Sequence, residues 1–230
     1  MSERIAPFTL AEMTLAHSRR ILMWSEAPST GKSYLATRGG LREGQKVFTT
    51  QMVEDGSTAD LLGCYILRDK QMVWSHGVGI RAWVEDGRLV IDEIDHASPE
   101  CLSLCLKLLD DPDFAQITLP TGEVVRPGKN FQVIATMNGR PEDLPENIRS
   151  RFPVTIEMVE PNPEAVAALP DDLQTMARNT ACHQDSDRRI SLRVWYEFAK
   201  LRGIIGKDAA AQACFQHRAQ EILDALLVAR

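Results

Sequence analysis

A chain of 230 residues with 44% hydrophobic and 25% charged side chains excludes global disorder and allows one large domain, or one domain with a small appendage. The formal net charge of −6, from 32 acids against 26 bases, argues against a dedicated duplex-DNA binder, and residues 51–100 alone carry ten acids and four bases. Arg68, Lys70, Arg81 and Glu85 interrupt every apolar run short of a membrane span, and Met1 to Leu10 has no basic stretch leading into an apolar one, so a cytosolic location is expected.

In chain order, the first predicted strand is Arg20 to Ser25, and it runs straight into Pro28-Ser29-Thr30-Gly31-Lys32-Ser33-Tyr34, the candidate phosphate-binding stretch. Such a loop offers successive backbone N–H groups to phosphates, and the helix that follows adds its positive end. Lys32 would reach the β- and γ-phosphates, and Ser33 would hold Mg²⁺. The full pattern has glycine at its first position, where Glu26 stands, and Ser29 occupies another place where glycine is common. A carboxylate beside a triphosphate is unfavourable unless it points away, and a chance Gly-Lys-Ser at a helix start is the competing reading.

A second strand is predicted over Lys46 to Gln51, and a hairpin pairs Cys64 to Leu67 with Met72 to Trp74 across a charged turn. The strand Arg88 to Ile94 ends in Asp92 and Glu93. Asp92 can join a Mg²⁺ shell and Glu93 can polarise an attacking water. Strand-end acids are common, but an upstream loop with Lys32 and Ser33 gives these a shared purpose.

Ser98, Pro99 and Glu100 then signpost a helix start, and Asp111-Pro112 marks its end. Cys101 and Cys105 lie on its apolar side, with His96 upstream. Five cysteines without a Cys-x-x-Cys pair suggest neither a disulfide framework nor a zinc ribbon, so both thiols read as small buried hydrophobes. A second hairpin pairs Ile117 to Leu119 with Glu123 to Val125. Both hairpins read equally well as contact devices or plain edge strands.

The strand Phe131 to Met137 ends at Asn138, whose amide either orients a water or merely makes a turn. Arg149 and Arg151 precede the strand Val154 to Met158, and surface arginines are ordinarily just solvated. Pro161, Pro163 and Pro170 break the chain, and from Ser191 the pattern is helical to the end, opening with Ser191-Leu192-Arg193. The expected architecture is α/β, a parallel five-stranded sheet sandwiched by helices over residues 1–160, with a small helical lid over residues 161–230.

The order of these parts resembles an AAA+ ATPase, and more closely the MoxR group with its CbbQ-like and dynein-related branch. The resemblance extends to Asp60-Leu61-Leu62-Gly63, Trp74 to Gly79, Ile91 to Ala97, Thr121 to Pro127 and Phe131 to Asn138, and covers roughly residues 18–203. It implies ATP and Mg²⁺ as ligands, Lys32 and Ser33 in Walker A, Asp92 and Glu93 in Walker B, and Asn138 as sensor 1. It also implies Arg151 as the arginine finger given to a neighbouring subunit, Arg149 as a second finger candidate, and Arg193 as sensor 2. The two hairpins match the helix-2 and pre-sensor insertions. Departures are Glu26 and Ser29 in the loop, Asp95 where the group usually has Asn, and a short lid. The loop departures imply slower hydrolysis.

The implied function is an ATP-hydrolysing ring subunit, most simply of a hexamer, that remodels or activates a separate partner protein such as one of von Willebrand A type. The alternatives are a DNA-associated NTPase motor of the same fold and a weakly catalytic nucleotide-binding assembly subunit. The acidic balance counts against nucleic acid as a partner, and the intact apparatus beyond the loop counts against the last.

Overall fold

The computed structural model describes residues 5–183 and 185–228. The chain packs as two compact units. One comprises Lys32–Glu157 with the residues before Ala27, and the other comprises the segment Ala27–Gly31 with the chain from Met158 onward. Among the described residues, no helix is long and apolar enough to cross a membrane.

The first unit opens with α1 (Pro7–Leu15), β1 (Arg20–Ser25), α2 (Lys32–Arg38) and β2 (Val47–Gln51). It continues through α3 (Ala59–Leu62), β3 (Gly63–Arg68), β4 (Gln71–His76), α4 (Val78–Val84) and β5 (Arg88–Asp92). Then come α5 (Pro99–Leu108), β6 (Ile117–Thr118), β7 (Val124–Val125), β8 (Gln132–Asn138), α6 (Glu146–Arg149) and β9 (Val154–Glu157). Five strands form one parallel sheet in the order β2-β5-β8-β1-β9. Ile21, Leu22 and Met23 of β1 and Ile134 and Ala135 of β8 are fully buried, as expected of central parallel strands covered on both faces.

The predicted strands match closely, and the differences have local causes. The strand expected to reach Ile94 stops at Asp92 because Glu93 turns into the left-handed region, with φ 55°, and a short 3₁₀ turn follows. The first hairpin is longer than expected, and its two-residue tip, Asp69-Lys70, has φ of 51° and 65°, the mirror-image turn that suits the twist of paired strands. Gly63 at its base has φ 119°, and a Cβ there would lie 2.2 Å from the Ser75 carbonyl oxygen. The second hairpin is reduced to two residue pairs, Ile117 with Val125 and Thr118 with Val124.

Ser98 caps α5, its hydroxyl accepting from the Cys101 N–H at 3.2 Å. Cys101 and Cys105 are buried in the core beneath that helix, and burial pushes the Cys105 thiol up to about 12.

Arg88, at the start of β5, fixes the helix that follows the loop. It is fully buried. Its guanidinium donates to Gln132 Oε1 at 2.6 Å and to the carbonyls of Ala36, Gly39 and Gly40 at 3.0, 2.7 and 3.1 Å. Those carbonyls close the C-terminal end of α2, where a cation suits the helix dipole. Burial lowers the guanidinium pKa to about 10, still well above neutral, so the charge stays.

The second unit holds α7 (Pro163–Ala167), α8 (Asp171–Ala181), α9 (Leu192–Ile205), α10 (Lys207–Phe215) and α11 (Ala219–Val228). Trp195, Phe198 and Phe215 pack ring to ring in its core, with Val166, Leu173, Ile222 and Leu226 around them. The sequence reading left α7 and α8 out. Pro163 and Pro170, read there as breaks, instead stand at the first residue of α7 and just before α8, where a missing N–H costs nothing.

Candidate nucleotide site

The site grows from the C-terminal ends of the parallel strands. Register places Ser25 beside Asn138 and Gln51 beside Asp92. A parallel sheet gathers its ligand-facing groups along this edge, and β1, between β8 and β9, feeds the phosphate loop.

Within the loop, Ser29 has φ 62° and Gly31 has φ 95°. This is the backbone region that glycine enters freely and other residues enter at a cost, which explains why glycine is common at the place Ser29 holds. Lys32 opens α2 and is buried. Its Nζ donates to Ser25 Oγ at 2.5 Å and to Asn138 Oδ1 at 2.9 Å. The ammonium is therefore held by the end of β1 and the end of β8 together. Ser33 Oγ donates to the Asp92 carboxylate, 2.8 and 3.0 Å from its two oxygens. Thr136 Oγ1 donates to Asp92 Oδ1 as well. A hydroxyl and a carboxylate at one point are hard oxygen donors of the kind Mg²⁺ prefers.

Glu93 is the next residue, and its left-handed backbone breaks the strand's alternation. Gln51 Nε2 donates to Glu93 Oε2 at 2.6 Å, so the end of β2 fixes the carboxylate's direction. Asp95 is 14% exposed at its side chain, and burial holds its carboxyl above the usual range, partly offset by its own backbone N–H, the neighbouring His96 and the Asn138 backbone N–H. Glu26 pairs with Arg140, so the carboxylate that stands in place of glycine has an opposite charge on it.

The structure thus brings Lys32, Ser33, Asp92, Glu93 and Asn138 into one constellation. Pro28 and Thr30 lie within the loop, Pro28 exposed and Thr30 buried, while Tyr34 lies in α2, half exposed with Arg38 over its ring at 5.0 Å. Arg149 ends α6, and Arg193 is an exposed residue in the first turn of α9 in the second unit. Arg151 lies elsewhere in the first unit. Its Nη1 donates to Asp110 Oδ1, and the guanidinium holds that carboxyl below the usual carboxylate range. Asp110 follows Leu109, whose carbonyl accepts from Arg20 at the start of β1. Five strand steps, roughly 17 Å at 3.3 Å per residue, separate that end of β1 from Ser25.

Sequence reasoning missed Ser25, Gln51, Thr136, Asp110 and Arg140. Gln51 and Ser25 were legible as strand ends, but neither carries a charge or motif that singles it out. Thr136 lies two residues before the recognised Asn138.

Residues 27–152, over half the chain, match the family described as AAA domain (dynein-related subfamily). Protein NorQ of Paracoccus denitrificans (strain Pd 1222) is 28% identical over 183 residues, which cover 77% of this chain and 63% of NorQ. Midasin of Dictyostelium discoideum is 29% identical over 150 residues, 62% of this chain and 2% of midasin. The crystal structure of NtrX from Brucella abortus in complex with ATP superposes with a TM-score of 0.58 at 16% identity, covering 88% of this chain and 53% of that one. The match spans less than two thirds of each of these proteins, and the NtrX likeness concerns the fold alone. On the match over residues 27–152, the chain belongs to the dynein-related subfamily of AAA domains.

Proposed function

We propose that the chain is an ATP-hydrolysing ring subunit, in which residues 1–160 are the nucleotide-binding core and residues 161–230 a small helical lid domain. The observation that carries this reading is the joint placement of Lys32 on Asn138 and Ser33 on Asp92, with Glu93 next in the chain. Phosphoryl transfer needs a cation on the phosphates, an oxygen pair for a metal and a base for water, and these residues supply all three.

Lys32 binds the β- and γ-phosphates, beside the backbone N–H groups of Pro28 to Gly31 that carry one. Ser33 and Asp92 would hold Mg²⁺, which when bound neutralises charge on the phosphates. Glu93 takes the proton of the attacking water as its oxygen bonds to the γ-phosphorus and the bond to the β-phosphate oxygen breaks. Asn138 orients that water or the γ-phosphate, and Arg193 is the sensor 2 residue of the lid.

Arg151 completes the site of a neighbouring copy. The end of β1 beside Asp110 lies opposite to the phosphate loop, so its guanidinium serves a different subunit's nucleotide, with Arg149 as a weaker contributor. A repeated head-to-tail contact of this kind closes into a ring, most simply of six. The ring's work is on a separate partner protein in the cytoplasm, of von Willebrand A type or one needing activation, with hydrolysis slowed by Glu26 and Ser29. The acidic balance, 32 acids against 26 bases, supports a protein partner over DNA.

Turnover per chain should rise steeply with protein concentration, because an isolated chain has a site without a finger. Phosphate release measured across a hundredfold dilution series tests this. Constant turnover per chain would mean that one copy suffices, and the shared-site reading would fall.

A further inference from the structure

Glu26 puts at the first place of the loop a carboxylate that phosphate chemistry does not call for, and its ion pair with Arg140 gives it a use. Three consecutive residues at the end of β8 each touch the same region. Asn138 Oδ1 accepts from Lys32 at 2.9 Å, Gly139 N donates to the Ser25 carbonyl at 3.0 Å, and Arg140 Nε donates to Glu26 Oε1. Gly139, at φ 115°, makes the turn that lets the third contact follow the first two. The Arg140 N–H is itself held by Asp143 Oδ2 at 2.9 Å, so the backbone of residue 140 is fixed while its side chain reaches back across the loop's first residue.

The guanidinium is therefore carried two residues beyond Asn138, the group that holds Lys32, and meets the first residue of the loop. The Glu26–Arg140 pair is wet, with side chains 55% and 68% exposed. An exposed pair of single charges is weakly held, whereas a terminal phosphate carries more charge and takes two N–H donors of a guanidinium at once.

We propose that Arg140 is a γ-phosphate-binding residue of its own subunit, and that Glu26 competes with the γ-phosphate for it. Nucleoside triphosphate draws the guanidinium from Glu26, while a diphosphate lacks the group that would do so. The pair thereby sets the preference of the site for triphosphate over diphosphate, and it gives a role to the residue that replaces glycine. This rests on the reading of residues 26–33 as the phosphate loop.

The test measures Mg·ATP and Mg·ADP affinities by calorimetry in the Glu93→Gln background, where ATP should survive the titration. Arg140→Gln should weaken ATP binding about tenfold, the scale of one lost charge-assisted hydrogen bond, and leave ADP binding within about twofold. Arg140→Lys should recover part of the loss, and Glu26→Gln should tighten ATP a few-fold without changing ADP. Equal weakening of both nucleotides by Arg140→Gln, or no change in either, would overturn the proposal and leave the pair a structural tie. Lys32→Ala, run in parallel, separates the two levels. If it binds both nucleotides as the parent does, the loop reading fails; if it loses both while the Arg140 variant keeps the parental ATP-to-ADP ratio, only the present inference fails.

Discussion

Replacing Glu93 with glutamine is expected to leave ATP bound and to slow its hydrolysis on the order of a thousandfold, the scale of a lost general base. The substitution keeps the side chain's size and its place beside Gln51, whose Nε2 donates to Oε2 at 2.6 Å. It removes only the ability to take a proton from water. An amide oxygen can still accept from Gln51, so the end of β2 and the turn at residues 94–96 should stay as they are. Phosphate release under excess ATP measures the rate, and calorimetry with Mg·ATP checks that affinity is kept. Unchanged turnover would remove Glu93 from the mechanism.

Lys32→Ala should act on binding instead, weakening Mg·ATP by roughly a hundredfold or more. A buried cation that contacts both phosphates contributes about 3 kcal/mol through charge-assisted hydrogen bonds. The geometry sharpens the expectation, because Ser25 Oγ and Asn138 Oδ1 hold the ammonium from two strands and fix where it points. Calorimetry with Mg·ATP reads the loss directly. Parental affinity in this variant would show that the loop is not a phosphate site.

Much of the architecture was legible because parallel strands buried on both faces read as continuous apolar runs. Arg20 to Ser25 was placed residue for residue, and Val154 to Met158 within one residue at its end. The constellation of Lys32, Ser33, Asp92 and Glu93 was legible too, since these residues lie in short stretches whose types suit phosphates and metals. What escaped depends on spatial neighbours. Gln51 matters through register with β5, Arg140 through a turn made by Gly139, and Asp110 through Arg151, far along the chain. Uncharged or exposed residues of this kind leave no local pattern. The helices α7 and α8 were missed for a different reason, since proline opens a helix as readily as it ends one.

The central claim is that two copies of this chain build each nucleotide site. Chains carrying Arg151→Ala lack the donated guanidinium but keep their own phosphate loop, and chains carrying Lys32→Ala have the reverse defect. Each alone should hydrolyse ATP poorly. Mixed in equal amounts at a concentration that favours assembly, they should recover a substantial part of the parental rate, because some interfaces then join an intact loop to an intact finger. The measurement is steady-state phosphate release from the mixture against the average of the two variants assayed separately. A rate well above that average is the predicted result, and a rate equal to it, from proteins shown to assemble together, would contradict the account.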